Sequence, residues 1–343
     1  MFIYLLRRII LLIPTFLGIT LMTFILINLA PGSPVEQKLQ AIRFGSGQSD
    51  GGGSGRSSSR GDTSVNAEII EALNKQYGFD KPLLTRYIIW LKNISRLDFG
   101  TSFTYEEPVM DVIASKFPVS LQFGLISLFL TYLVCIPLGV RKAIYAGGRF
   151  DRISGLILYF FYSIPVLVLG IFLIVIFAGK LNLFPVGGLR SDNYAELSSW
   201  QQFLDRAHHF VLPLTCYMVG NFTELTMLMR NSMLDVIKSD YVRTARAKGV
   251  AEKAVYFKHA LRNALIPIAT GLGGFFGVFL AGSLVIERVF NLDGIGLLGY
   301  QSVMARDYNV IMGITFLSSL VLMFGRLFSD VIYVLIDPRI DFK

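Results

Sequence analysis

Apolar residues dominate long stretches of this chain, and charged residues are concentrated in the segments between them. Four stretches of 24 to 27 residues contain no Asp, Glu, Lys or Arg, and two further apolar stretches carry charges only near one end. About 20 mostly apolar residues are enough to cross the hydrocarbon core of a bilayer. The pattern therefore predicts six membrane-spanning helices, at residues 9–30, 119–140, 154–178, 210–229, 264–286 and 309–335.

The composition agrees with this pattern and excludes several other classes. Of the 343 residues, 53% are apolar and 16% are charged, whereas soluble domains contain about 25% charged residues. A disordered chain, a soluble nucleic-acid-binding protein and a disulfide-rich secreted domain are therefore excluded. Cys135 and Cys216 both lie within apolar stretches, so we expect them to be buried or lipid-facing. The predicted fold class is an all-α, polytopic membrane protein.

Basic residues are distributed unequally between the two sides of the predicted membrane. One side has four segments with 16 basic and 6 acidic residues: 1–8, 141–152, 230–263 and 337–343. The other has three segments with 15 basic and 16 acidic residues: 31–118, 180–209 and 287–307. Because short cytoplasmic loops are enriched in Lys and Arg, the first side and both termini are predicted to be cytoplasmic. The net charge of +8 thus reflects topology, and no nucleic-acid partner is expected.

The extracytoplasmic loop 31–118 is predicted to contain a flexible insert at 45–64, where Gly and Ser supply 14 of 20 residues. Residues 47–51 fit the hydrolase pattern G-x-S-x-G, but that chemistry needs a strand before the serine and a helix after it, so no catalytic residue is predicted. After the insert, residues 67–77 and 83–94 are predicted to be helical. We expect residues 66–118 to form an ordered unit around aromatic side chains.

Several polar residues at or within the predicted spans invite a functional interpretation. Asp205, His208 and His209 precede the fourth span, but adjacent histidines do not share a helix face. No metal site is therefore predicted, and polar residues at the membrane edge are expected instead. Charged residues inside spans are functional by default, and three occur: Glu224, Arg326 and Asp330. Arg326 and Asp330 are spaced to pair along one helix, and whether these three charges are structural or functional stays open.

The cytoplasmic loop 230–263 has a pattern that predicts two amphipathic helices joined at Gly249. Leu234, Ile237, Tyr241 and Ala245 recur at helical spacing, and Gly249 suits the position after a helix, where φ is positive. A second amphipathic stretch follows, with Ala254, Phe257 and Leu261 on one face. Such a pair could lie on anionic lipid or dock on a soluble partner, and composition alone favours lipid.

Sequence motifs in this loop and elsewhere carry a family resemblance. Residues 240–249, DYVRTARAKG, and 259–264, HALRNA, resemble the EAA loop of ABC-transporter permeases, and in particular the dipeptide/oligopeptide importer branch. Further matching motifs run from end to end of the chain: APGSP at 30–34, YGFDKPL at 77–83, IPLGV at 136–140, ERVFNLDGIG at 287–296, RDY at 306–308 and DPR at 337–339. The chain is most similar to the B-type subunit of the Yej-type branch, which imports peptides and microcin C. It departs from the general motif at residues 243–245, Arg-Thr-Ala in place of Glu-Ala-Ala.

The resemblance implies a type I ABC importer permease in the bacterial inner membrane. Its partners would be a second homologous permease, two cytoplasmic ATPases, an extracytoplasmic binding protein, the bilayer and a peptide substrate. The chain has no G-x-x-x-x-G-K-[ST] motif. No enzymatic activity or cofactor of its own is therefore expected, and ATP and Mg²⁺ would bind the partner ATPases. The residues expected to couple to the ATPase are those at the end of the first loop helix: Tyr241, Arg243, Thr244, Ala245, Arg246, Ala247, Lys248 and Gly249.

Two other function classes compete with an importer. An intramembrane hydrolase would need a nucleophile and its partners inside the bilayer, where Glu224, Arg326 and Asp330 are the only predicted charges. A secondary transporter or channel could use the same charges as a proton relay. Separately, Gly273 and Gly277 in the fifth span are four residues apart, which predicts a close helix–helix contact of the small-xxx-small type.

Overall fold

The computed structural model of the chain describes residues 2–29, 80–271 and 282–336. Within these ranges β-structure is limited to one isolated bridge between Thr101 and Pro108, and helices dominate, as the predicted all-α class requires. The α-helices are, in chain order, α1 (Phe2–Leu29), α2 (Leu83–Ile94), α3 (Val109–Ile144), α4 (Arg149–Tyr162), α5 (Val166–Leu173), α6 (Ser199–Ile237), α7 (Asp240–Ala247), α8 (Glu252–Ala254), α9 (Leu261–Ala264), α10 (Leu284–Val289), α11 (Ile295–Met304) and α12 (Tyr308–Ile336). Two π-helical segments follow α5 and α8, at Ile174–Lys180 and Val255–Ala260, and a 3₁₀ turn forms at Tyr194–Glu196.

Within the described ranges, three helices are long and apolar enough to cross a membrane: Ile10–Leu29 within α1, Val109–Ile144 in α3 and Tyr308–Val331 within α12. A fourth candidate consists of α4 together with α5 and its π-helical extension, which meet at an angle of 95°. The predicted third span, 154–178, is thus two helices. Proline explains the break, because Pro165 precedes α5 and disfavours helical geometry at the residue before it.

The two remaining predicted spans are not confirmed by helix length and composition. Residues 210–229 lie inside the 39-residue helix α6, which is not among the candidate spans. The predicted fifth span, 264–286, is described at residues 264–271 and 282–286. Gly273 and Gly277 fall between these stretches, outside the described residues, so the predicted glycine contact is not tested.

The chain divides into two compact units. The first comprises residues 1–12, 116–297 and 318–343, and the second comprises residues 13–115 and 298–317. In the second unit, Tyr87 packs against Phe24 and Met312 and stacks on Trp90 with ring centroids 5.9 Å apart. Helix α2 has the bounds predicted from the sequence, and its Tyr87 and Ile94 are buried. The predicted helix 67–77 and the predicted insert 45–64 lie outside the described residues.

Helix α6 contributes to two buried apolar clusters among the described residues of the first unit. One cluster includes Phe123 of α3, whose ring stacks on Phe210 of α6 at 4.3 Å. The other includes Met229 and Met233, which are fully buried against residues of α3 and of the segment after α8. Cys216 belongs to the first cluster and Cys135 to the second, so both cysteines are buried as expected.

Candidate functional site

The loop 230–263, called the coupling loop because the sequence predicts that it contacts the ATPase, folds as two helical segments joined by a tight turn at Gly249. Helix α6 ends at Ile237, α7 begins at Asp240, and Gly249 has a φ of 78°. The amide of Gly249 donates to the carbonyl of Arg246 at 2.9 Å, and the amide of Val250 donates to that of Ala245 at 3.2 Å. These two bonds form a Schellman motif and confirm the predicted positive φ at Gly249.

An ion pair connects the two sides of the Gly249 turn. The guanidinium of Arg246 donates to both carboxylate oxygens of Glu252, from Nε at 2.8 Å and from Nη2 at 3.3 Å, and also lies 5.8 Å from the ring centroid of Tyr256. The hydrogen bond from Arg246 lowers the pKa of the Glu252 carboxyl, and the same bond raises the pKa of Arg246. Arg246 was expected to contact the ATPase, but its guanidinium is bound to Glu252 within the loop.

A second hydrogen bond joins the start of α7 to α9. The amide Nδ2 of Asn263 donates to the hydroxyl oxygen of Tyr241 at 2.7 Å. Close by, the Ser232 hydroxyl on α6 donates to the carbonyl of Ala264 at 2.8 Å. The coupling loop is therefore held by contacts between its two helical segments and by a contact to the end of α6.

The apolar face of the loop differs from the predicted stripe. Leu234 and Ile237 pack on the cluster around Met233, but Tyr241 is 43% exposed, and the fully buried residue of α7 is Val242. The break between α6 and α7 at residues 238–239 changes the helical phase, so one stripe cannot continue through it. Ser239 occupies the N-cap position of α7, but its hydroxyl donates to the carbonyl of Val236 at 2.6 Å and makes no capping bond to α7. Serine followed by Asp240 is nevertheless typical of a helix start and was the available signal.

The second segment also departs from the expected helical face. Val255 and Ala260 are fully buried, whereas Phe257 is 53% exposed. These residues form the π-helix Val255–Ala260, whose wider turn places positions five residues apart on one side. The predicted face of Ala254, Phe257 and Leu261 assumed α-helical spacing and is therefore wrong for Phe257.

The surface left free by these contacts lies on one part of α7 and its C-terminal turn. The coupling residues predicted from the resemblance that are exposed are Tyr241, Arg243, Thr244, Ala247, Lys248 and Gly249, while Ala245 and Arg246 are half-buried. The Arg243 side chain is 73% exposed and has only a 3.7 Å contact with Asp240. Arg243 and Lys248 are therefore the exposed cations among the predicted coupling residues.

Tight packing connects the coupling loop to helix α3. A Cβ added to Gly139 would lie 2.6 Å from Cβ of Met229 and 2.8 Å from the carbonyl oxygen of Thr226. Gly139 therefore permits a close approach of α3 and α6. Met229 and Met233 share their cluster with Ala260 and Ala264 beyond the Gly249 turn, so a displacement of the loop must also act on α3 and α6.

The other candidate residues occupy separate positions. The Asp205 carboxylate accepts hydrogen bonds from the Ser191 amide at 3.0 Å and from the Ser191 hydroxyl at 2.5 Å. The Nδ1 atom of His209 lies 2.8 Å from the carbonyl oxygen of Asp205. The Nε2 atom of His208 lies 2.5 Å from the carbonyl oxygen of Leu183. These contacts fix residues 183–191 to the start of α6. Across the described ranges, His, Cys, Asp and Glu side chains form no group of three suited to a metal ion.

The predicted pairing of Arg326 with Asp330 is wrong. Asp330 forms a salt bridge with Arg8 of α1, and Arg326 is exposed. The i,i+4 spacing permitted a local pair, but the packing of α1 supplies a nonlocal partner for the carboxylate. Glu224 is exposed on α6.

A buried carboxylate organises the residues of the 287–296 motif. Glu287 is fully buried and accepts hydrogen bonds from the Ser120 hydroxyl at 2.9 Å, the Ser283 amide at 3.2 Å and the Leu297 amide at 2.7 Å. Burial raises the pKa of Glu287. A Cβ at Gly294 would lie 2.5 Å from the Glu287 carboxyl carbon, so the motif glycine makes room for this carboxylate. Sequence reasoning matched the motif but did not identify the role of Glu287.

Comparisons with known proteins place these features in a family. Residues 135–342 match the family described as "Binding-protein-dependent transport system inner membrane component". The chain is 43% identical to "Peptidoglycan transport system permease protein YejB" of Agrobacterium fabrum, over 99% of this chain and 98% of that protein. It is 41% identical to "Inner membrane ABC transporter permease protein YejB" of Escherichia coli O157:H7, over 99% of both proteins. It is 34% identical to "Oligopeptide transport system permease protein AppB" of Bacillus subtilis, also over 99% of both.

Proposed function

Because this chain belongs to the family of inner membrane components of binding-protein-dependent transport systems, we propose that it is the permease subunit through which an ATP-driven importer moves peptides. The membership confirms the ABC-permease resemblance predicted from the sequence motifs. Its relatives are permease proteins, which are transport components without an ATPase site of their own. Energy must therefore reach this chain from ATPase partners.

The coupling loop is the observation that supports this proposal best. Its Gly249 turn is fixed by two backbone bonds and by the Arg246–Glu252 pair, and its buried residues share a cluster with α3 and α6. A rigid loop of this kind can transmit the movement of an ATPase to the spans, whereas a flexible one would absorb it. Such a transporter works by alternating access, in which rigid helix motions expose the path to one side at a time.

The proposed topology has six spans with both termini and the coupling loop in the cytoplasm. It rests on the unequal distribution of Lys and Arg. A second homologous permease would complete the path, two ATPases would bind below, and an extracytoplasmic binding protein would deliver the substrate to a surface that includes residues 66–118. Exposed Arg243 and Lys248 of α7 would bind carboxylates or carbonyls of one ATPase.

The proposed substrate class is oligopeptides, including microcin C-like peptides. Support comes from the relatives' names, which specify oligopeptides for one protein and peptidoglycan for another. A peptide segment is common to oligopeptides and peptidoglycan fragments. The binding protein is expected to do much of the selection, so length and side-chain preference lie largely outside this chain.

The test is uptake by proteoliposomes that contain this permease with its co-expressed partner permease, ATPases and binding protein. We expect uptake of a labelled oligopeptide to require ATP, to stop with vanadate and to survive collapse of the proton gradient. A proton-coupled carrier would show the opposite pattern. Competition by unlabelled peptidoglycan fragments would show whether both peptide classes use the same path.

A further inference from the structure

A carboxylate paired with two cations lies where α3, α4 and α6 meet. Asp151 accepts two hydrogen bonds from Arg230, from Nε at 2.9 Å and from Nη2 at 2.7 Å. The fully buried Lys142 lies 3.1 Å from the Asp151 carboxylate and donates to the Asp151 carbonyl at 2.7 Å and to the Ser154 hydroxyl at 2.9 Å. The hydrogen bonds from Arg230 hold the pKa of Asp151 well below its usual range.

These contacts leave donor capacity on two arginines. Arg230 uses three of its five N–H groups on Asp151 and, at 3.2 Å, on the side chain of Asn231. Arg152 is exposed and donates from Nε to the carbonyl of Gly147 at 3.0 Å, which uses one of its five. Lys142 directs all three of its N–H groups to Asp151 and Ser154. The arginines therefore have N–H groups to offer a ligand, whereas Lys142 contributes charge alone.

A cavity of about 540 Å³ opens beside this cluster. Its lining combines a net positive charge, from Lys142, Arg152 and Arg230 against Asp151, with apolar walls. The principal apolar wall residues are Leu156, Tyr159 and Met227. Leu156 is 72% exposed and Tyr159 55% exposed, so the apolar wall continues onto the open face of α4. A ligand that fits has an anionic group at one end and hydrocarbon at the other.

The position of the cavity relative to the membrane selects the ligand. Residues 141–152 form the basic loop that the proposed topology places in the cytoplasm, and the apolar part of α4 begins directly after Arg152. In this topology the cavity lies at the level where the cytoplasmic leaflet changes from headgroup to hydrocarbon. Anionic lipids of that leaflet attract basic residues.

The geometry points to a binding site for an anionic phospholipid in this cavity, with the phosphate bound by Arg152 and Arg230 and an acyl chain along Leu156 and Tyr159. The inference rests on the proposed function only for the cytoplasmic placement of residues 141–152. A lipid bound there would contact α4 and α6 directly and reach α3 through Asp151 and Lys142. The lipid would therefore stabilise one arrangement of these three helices.

Native mass spectrometry of the purified transporter complex tests the site. The complex is equilibrated with equimolar phosphatidylglycerol and phosphatidylcholine in detergent, without ATP, peptide or binding protein, and the ratio of the two retained lipids is measured. For Arg152→Gln we expect the ratio to fall about five-fold, the effect of one basic residue at an anionic membrane surface. Arg149→Gln is the matched control, because Arg149 is exposed in the same turn of α4 but does not line the cavity.

Three outcomes would overturn the inference. The first is an unchanged ratio in Arg152→Gln, and the second is an equal fall in Arg149→Gln, which would indicate general surface charge. The third is displacement of phosphatidylglycerol by millimolar inorganic phosphate, which would assign the cavity to a free anion. Arg152→Lys keeps the charge and should lie between wild type and Arg152→Gln. Because lipid retention needs no transport, failure of peptide uptake would leave this result interpretable.

Discussion

Arg246 and Glu252 lie on opposite sides of the Gly249 turn and are joined by two hydrogen bonds, of 2.8 and 3.3 Å. The pair fixes the direction in which the chain leaves α7, and the bond from Asn263 to Tyr241 adds a second connection. Arg243 and Lys248 remain exposed beside it. The loop therefore separates residues that maintain its shape from residues that are free to bind a partner, and this division makes its function testable.

Replacing Gly249 tests the importance of the turn. A Cβ at this position meets nothing within 4 Å, so the Cβ itself fits and the strain of a substitution comes from the positive φ. This conformation costs an ordinary residue about 1–2 kcal/mol and a β-branched residue more. We expect Gly249→Val to insert normally but to lose ATPase association and import, measured by co-purification and peptide uptake.

Gly249→Asn is the matched control, because asparagine tolerates positive φ. It should retain most of the ATPase association. If both variants lose it equally, backbone conformation at residue 249 is not the cause.

The two arginines of α7 should give different phenotypes. Arg243→Gln removes an exposed cation and should weaken ATPase binding without changing the loop. Arg246→Gln removes the partner of Glu252 and should loosen the turn, seen as faster hydrogen exchange of the Gly249 and Val250 amides. The measurements are ATPase affinity and amide exchange for each variant.

A double-variant comparison separates the two roles further. Because Arg246 and Glu252 act as a pair, Arg246→Gln with Glu252→Gln should be no more impaired than either single variant. Arg243→Gln combined with Glu252→Gln should be additive. Additive losses for the Arg246 and Glu252 variants would show that the pair does not act as one unit.

Two glycines in helices test the contact between α3 and α6. A Cβ at Gly139 would overlap Met229 and Thr226, whereas one at Gly220 of α6 meets nothing within 4 Å. Gly139→Ala should lower the free energy of unfolding by about 1–3 kcal/mol through overpacking. Gly220→Ala should raise it by about 0.5–1 kcal/mol through helix propensity. Thermal unfolding of the purified complex measures both, and equal shifts would contradict the close approach at Gly139.

Sequence patterns correctly predicted several features that depend on residues close together in the sequence. The helix at Leu83–Ile94, the positive φ at Gly249 and the burial of Cys135 and Cys216 all follow from local composition, and the structure agrees. The predicted apolar stripe of the coupling loop was wrong beyond Ile237, because the helix breaks before Asp240 and the helical phase changes there. The predicted apolar face was wrong for Phe257, which is exposed because a π-helix widens the turn at this position.

Contacts between distant residues could not be predicted in the same way. Asp330 pairs with Arg8, more than 300 positions away in the chain, instead of Arg326 one helical turn away. Asp151, Lys142 and Arg230 come from three helices, and no spacing in the sequence brings them together. The roles of Glu287 and Val242 likewise depend on packing, so they emerge only from the three-dimensional arrangement.

Cross-linking from position 247 in native membranes shows whether the exposed face of α7 contacts an ATPase. Ala247→Cys is on that face, and Ala146→Cys is an exposed control in another segment predicted to be cytoplasmic. If α7 couples to the ATPase, a short bifunctional reagent joins position 247, but not position 146, to the ATPase, and lipid-phase reagents leave position 247 unlabelled. Labelling of position 247 by lipid-phase reagents while the ATPase stays bound would contradict it and assign α7 to the lipid surface.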